Sequence, residues 1–192
     1  VSHPTNHRDD HPDTVGDGED APEPEGDDPE STARAICHRL LATAPRTRAQ
    51  LAHALERRGV DADVARSVLD RLGEAGLVDD AAFAGAWVDS RHAGRGLGRE
   101  RLAGELRRRG VDDGTVNEAV GELAPEQEEA TARRLVRRKL DSTRDKPHDT
   151  RVRRVMGMLA RKGYPAGLSY RVIREELEAE GSSVDLPEPD LD

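Results

Sequence analysis

Gly76-Leu77-Val78-Asp79-Asp80-Ala81-Ala82-Phe83 closes one helical segment and opens the next. Gly76 has no Cβ, so it accepts the left-handed backbone that stops a helix. Asp79 and Asp80 stand where a new helix needs acceptors for its free N–H groups and favours negative charge. Phe83 and Trp87, four residues apart, fall on one face of that new helix. The stretch is a joint between two helix-based units.

On its N-terminal side the apolar pattern divides into three helices. Ile36, Leu40 and Leu41 mark the first, which ends near Pro45. Thr47 with Gln50 three residues on is a capping-box pattern, followed by Leu51 and Leu55. Gly59 ends that helix, Asp61 caps the next, and Val64, Ala65, Val68, Leu69 and Leu72 follow the helical period up to Gly76.

The arrangement recurs twice on the C-terminal side. A helix from about Asp80 to Arg91 carries Phe83, Trp87 and Val88. Gly94-Arg95-Gly96-Leu97-Gly98 reads as a flexible connector to a helix with Leu102 and Leu106, and Val116, Ala119, Val120 and Leu123 make the third. The last round opens at Pro125, a first-turn proline, with Ala132, Leu135, Val136 and Leu140. After a polar loop, Asp141 to Thr150, come Val152, Val155, Met156 and Leu159, and then Leu168, Val172, Ile173 and Leu177.

Aligned on their breaks, Gly59-Val60, Gly110-Val111 and Gly163-Tyr164 lie 51 and 53 residues apart. Eight residues before the glycines stand Leu51, Leu102 and Val155, and four before stand Leu55, Leu106 and Leu159. Nine and ten after stand Val68-Leu69, Ala119-Val120 and Val172-Ile173. No strand signal competes. The expected fold is all-α, with three tandem three-helix repeats over residues 31–79, 80–124 and 125–180 forming an elongated body instead of one round core.

Composition separates that body from its ends. Residues 1–30 hold eleven acids and one base, Arg8, with only Val1, Val15 and Ala21 apolar, a composition expected to stay disordered. Residues 181–192 read as a second acidic tail. With Glu180 included, the C-terminal end adds five acids and no base, so a chain of net charge −9 has a body of net +6. A basic body favours a polyanion or an acidic protein surface as partner. The lone Cys37 allows no internal disulfide and fits a reducing compartment. No apolar run approaches membrane-spanning length and the N-terminus is unlike a signal peptide, so the expectation is a cytoplasmic protein without membrane contact. The bias of 27 arginines to three lysines matches a GC-rich genome.

The joint Gly76 to Ala84, with Gly96-Leu97-Gly98, Glu105-Leu106 to Gly110-Val111, Arg134 to Leu140 and Leu159-Ala160-Arg161-Lys162-Gly163-Tyr164, resembles the RecX regulatory protein family. The resemblance spans residues 31–180 and excludes both acidic tails. It implies tandem three-helix modules in a curved rod. It also implies a regulator of RecA, the recombinase that forms helical filaments on single-stranded DNA. Members lodge along the filament groove and hinder its growth or ATPase activity, restraining recombination and the SOS response. Partners so implied are RecA and the RecA–DNA filament; weak non-specific DNA contact and a monomeric protein are separate expectations. The alternative reading is a general helical DNA-binding protein, since three-helix units can present a recognition helix to the major groove.

Clustered basic residues are the candidate RecA- or DNA-binding surface: Arg99, Arg107 and Arg108; Arg133, Arg134, Arg137, Arg138 and Lys139; Arg151, Arg154, Arg161 and Lys162. Their helices already commit an apolar face to the interior, so these side chains are expected to point outward. Guanidinium groups suit phosphate and carboxylate alike. Such clusters are also what a solvated face looks like in an arginine-rich chain. Aromatic interleaving, the mark of base-stacking platforms, is missing. Phe83 and Trp87 are expected to fill the seam between repeats, and Tyr164 to pack with its hydroxyl toward water.

No catalytic constellation emerges. The glycine run 94–98 lacks the Lys-Ser/Thr ending of a phosphate loop and follows a helix instead of a strand. Pro4 and Pro12 argue against a helix that would align His3, His7 and His11 for a metal. His38, His53, His92 and His148 have no ligand-spaced companions, and Cys37 fits a small core residue. The expectation is a non-enzymatic protein without cofactor or metal. The N-terminal acids could mimic DNA against the arginine faces.

Overall fold

The computed structural model describes residues 28–181, and its helices follow the start and stop signals of the sequence. The first trio is α1 (Pro29–Leu41), α2 (Arg48–Glu56) and α3 (Ala62–Glu74). The second is α4 (Asp80–Arg95), α5 (Arg99–Arg107) and α6 (Asp113–Gly121), and the third α7 (Pro125–Asp141), α8 (His148–Lys162) and α9 (Ala166–Ala179). No strand occurs among the described residues. The N-terminal histidines and most of both acidic tails lie outside them.

Local chemistry sets the ends. Thr47 and Gln50 form the reciprocal capping box of α2. Asp61, Asp79 and Asp112 cap α3, α4 and α6 by accepting backbone N–H groups. Such a cap contributes about 1 kcal/mol. Two boundaries differ from the sequence expectation. Asp28 caps α1, and Glu30 within it pairs with Arg71 at 2.6 Å, so the last of the acidic residues belong to the first trio. The helix α4 continues through Gly94 and Arg95 to a left-handed Gly96, and Leu97 behind it is buried. The run 94–98 is therefore a helix end and a packed corner, not a flexible connector. Burial of Leu97 outweighs the low helix propensity of glycine.

Each trio closes its own apolar core. Leu51, Leu55, Val68, Leu69 and Leu72 interlock in the first, Val88, Leu102, Leu106, Val116 and Leu123 in the second, and Val136, Leu140, Val155, Leu159 and Ile173 in the third. The closely packed helix pairs all fall within one trio, with the first helix of each running against its third. Cys37 is fully buried in the first core, where the loss of hydration pushes its thiol pKa up and leaves it unreactive.

The trios meet through one seam used twice. Thr47, twelve residues before its own break glycine, donates its hydroxyl to the Arg109 carbonyl, one residue before the next trio's break, at 2.7 Å. Gly98, twelve before Gly110, donates its N–H to the Lys162 carbonyl at 2.8 Å, again one residue before the next break. The following residue completes the match. The Arg48 N–H is capped by Asp80 of α4 at 2.8 Å, and the Arg99 N–H by Glu128 of α7 at 2.8 Å. The second helix of each of the first two trios thus borrows a carboxylate cap from the first helix of its successor. This explains the burial of Glu128, a charged residue kept inside by that hydrogen bond and by its ion pair with Arg99. The all-α tandem repeat is a chain of trios joined by this recurring contact.

Tyr164 departs from expectation at the second seam. It is only 3% exposed, and its hydroxyl donates to the Gly96 carbonyl at 3.0 Å instead of meeting water. Burial, reinforced by the nearby Glu128, raises its pKa and keeps the proton on oxygen. His92 adds a second clasp, with Nδ1 2.9 Å from the Leu97 carbonyl oxygen and Nε2 3.0 Å from the Thr131 hydroxyl. Among the described residues no helix is long and apolar enough to cross a membrane.

Candidate functional site

The predicted basic residues separate into two groups. Several are structural and do not simply point outward. Arg133 reaches Glu175 at 2.7 Å, Glu129 at 2.9 Å and Glu176 at 3.1 Å, and Arg137 reaches Glu176 at 2.6 Å. These pairs clamp α7 to α9, and Arg171 closes the group on Glu129 at 2.6 Å. Arg151 is nearly buried and bonds Glu180 and the Leu140 carbonyl. Arg99 pairs with Glu128 and donates to the Leu123 carbonyl, while exposed Arg107 pairs with Asp113 at 2.7 Å. The helical wheel shows which positions avoid the core, but most of the acids that meet them come from other helices, 29 to 43 residues away.

That clamp has a pH signature. Hydrogen bonds from Arg133 and Arg171 hold the Glu129 carboxyl below its ordinary range. Burial pulls Glu176 upward, but hydrogen bonds from Arg137 and Arg133 outweigh it and the net shift is also downward. Both folded-state values lie below the unfolded ones. Their stabilisation is therefore complete above the usual carboxylate pKa and disappears as pH falls through the folded values. Thermal melts should show wild type losing its advantage over Glu176→Gln between about pH 5 and about pH 3. A constant gap across that range would mean the charge on Glu176 does not matter.

The second group has no carboxylate partner among the described residues: Arg108, Arg134, Arg138, Lys139 and Arg161. Arg154 feels Asp145, which itself pairs with Lys146. Arg134 and Arg138, one turn apart on α7, are both exposed. Lys162 lies against this row. Its amine donates to the Arg95 carbonyl at 2.5 Å, and burial followed by the charge of Arg138 lowers its pKa. Arg134 is close enough to Tyr164 to oppose the rise in its pKa. Arg134, Arg138 and Lys162, with Arg161 beside them, form a basic edge at the seam between the second and third trios. No carboxylate among the described residues neutralises it.

A second feature lies at the first seam. Phe83 and Trp87 stack with centroids 5.7 Å apart, but they do not fill the seam. They remain half-buried and line a groove of roughly 530 Å³ that also takes in Leu41, Pro45, Arg46 and Leu77. The Trp87 ring carries the Arg109 guanidinium at 3.6 Å and that of Arg91 at 4.1 Å, and its Nε1 donates to Glu105 at 3.1 Å. Leu77 is half exposed. The groove was missed in the sequence. The spacing of Trp87 and Arg91 marks a shared face, but nothing signals that Leu41 and Pro45 come to lie opposite. No cluster of three or more His, Cys, Asp or Glu side chains among the described residues could hold a metal.

The trios match family descriptions one by one. Residues 33–72 match the first three-helix domain of RecX, 79–120 the second and 126–173 the third. The regulatory protein RecX of Thermobifida fusca is 63% identical over 93% of this chain and 98% of its own length. Regulatory protein RecX of Streptomyces coelicolor is 54% identical over 82% of this chain and 84% of its own. A crystal structure of RecX from Lactobacillus salivarius superposes with a TM-score of 0.73 at 16% identity, covering 79% of this chain and 97% of that one, and so shares the fold. The general DNA-binding alternative gains nothing from these relatives. Three domains in family order, with identity this high over nearly the whole chain, place the protein in the RecX family of regulatory proteins.

Proposed function

We propose that the protein binds RecA and its filament on single-stranded DNA and restrains RecA's ATPase activity and filament growth, thereby limiting recombination and the SOS response. Membership in the RecX family carries this reading. The repeated seam supports it physically. Trios joined in series present a long surface able to span neighbouring filament protomers, which a single round core of this size does not. The basic edge of Arg134, Arg138, Arg161 and Lys162 supplies charge for filament DNA or for acidic recombinase surface. Contact with bare DNA is weak and non-specific on this reading. Trp87 is covered by Phe83 and two guanidiniums, Tyr164 is buried, and Tyr170 stands apart with Arg174 over its ring at 5.9 Å, so the rings form no row of stacking platforms for bases. The protein works as a monomer in the cytoplasm, where RecA acts, and performs no chemistry itself.

The test is RecA's DNA-dependent ATPase with this protein at substoichiometric ratios. A fall in rate well beyond the stoichiometric fraction is the expected result, since one bound regulator interrupts a run of protomers. An unchanged rate at equimolar protein, with no binding to filaments, would refute the reading.

A further inference from the structure

We infer that the groove at the seam of the first two trios docks a segment of the RecA protomer that presents a carboxylate beside a bulky apolar side chain. The inference rests on the reading above and names a contact surface separate from the basic edge. The floor is apolar: Leu41, Pro45, Leu77, Phe83 and Trp87 line it, and Leu77 is the large apolar residue left exposed among the described residues, at 50%. A half-exposed leucine beside stacked aromatics is a surface that gains by being covered.

The rim is basic. Arg46 and Arg91 line the groove, and neither meets a carboxylate among the described residues. The Arg46 Nε is shut off from solvent with no acceptor in reach. Such an orphaned donor is costly, and a carboxylate entering the groove would bring acceptors to this guanidinium. Asp79, also on the rim, is already engaged as the cap of α4. The groove therefore asks for an apolar anchor and an anion together. Phosphate backbone lacks the anchor, and bases would have to compete with Phe83, Arg91 and Arg109 for the Trp87 ring. This chain's residues 1–27 offer acid but no apolar side chain larger than valine.

Co-sedimentation of the full chain with preassembled RecA filaments tests the inference. Wild type should pellet with the filaments. Leu77→Asp and Arg46→Glu should each weaken pelleting by about tenfold or more while melting within a few degrees of wild type. If wild type pellets and both folded variants pellet equally well, the groove is not the contact and the proposed function still stands. If wild type itself fails to pellet, the proposed function falls and the inference falls with it. Trp87 is the single tryptophan, so its emission in the free chain reports other occupants. Emission should be unchanged by Leu186→Ser with Leu191→Ser and by dilution. A shift with the first would seat the chain's own C-terminal residues in the groove, a shift on dilution would seat a second copy, and either overturns the inference.

Discussion

Gly163→Ala is expected to destabilise the protein by about 2–5 kcal/mol, while Gly59→Ala costs only about 1–2 kcal/mol. Both glycines end the second helix of a trio and both have a left-handed backbone, with φ of 79° and 75°. The penalty for placing a Cβ in that conformation is common to the two. What differs is what surrounds them. A Cβ on Gly163 would collide with the backbone nitrogen of Arg101 in the preceding trio, whereas one on Gly59 would meet nothing. Gly59 lies in the first trio, where no described residue of another trio comes close to it. Gly110 repeats the crowding at the first seam, against Ala49. Denaturant unfolding followed by circular dichroism measures both variants. Equal losses would show that the seam relaxes freely and contributes no rigidity.

Charge reversal along α7 should divide by face. Arg134→Glu with Arg138→Glu should leave the melting temperature close to wild type and weaken filament binding and ATPase inhibition by about 10- to 100-fold. Two guanidiniums facing a negative partner contribute on the order of 1 kcal/mol each, and reversal adds repulsion. Arg133→Glu with Arg137→Glu lies one residue away in each case and should do the opposite. It places two carboxylates against Glu129, Glu175 and Glu176, and the melting temperature should fall clearly below wild type, chiefly through Arg133, since Arg137 is largely exposed and its pair is screened by solvent. Thermal melts and filament co-sedimentation on the same preparations decide. Inhibition that survives the first pair would move the binding surface elsewhere on the chain.

These contrasts show why the candidate surface was only half legible. Avoiding the core is a one-dimensional property, and the helical period places Arg133, Arg134, Arg137 and Arg138 all outside it. Whether an outward arginine is spent on a structural carboxylate depends on Glu175 and Glu176, which α9 delivers from about forty residues downstream. The sequence has no local sign of that pairing. Glu128 makes the same point from the acidic side, as a surface-like residue buried where the backbone N–H and the guanidinium of Arg99, from another trio, meet it. Tyr164 was placed correctly in the packing, but its hydroxyl turned inward because the Gly96 carbonyl of the neighbouring trio is within reach.

The sequence by itself determined the helices, their caps and the threefold repetition. Caps and periodicities act within about four residues, and the break glycines recur in register. It determined the family for the same reason, since the joint from Gly76 to Phe83 is a contiguous stretch. Only the tertiary structure decided how the trios join, which arginines remain unpaired, and that Leu77, Phe83 and Trp87 border an open groove instead of a filled seam. Those outcomes depend on contacts between helices of different trios, where a carboxylate or a missing Cβ acts on a backbone dozens of residues away.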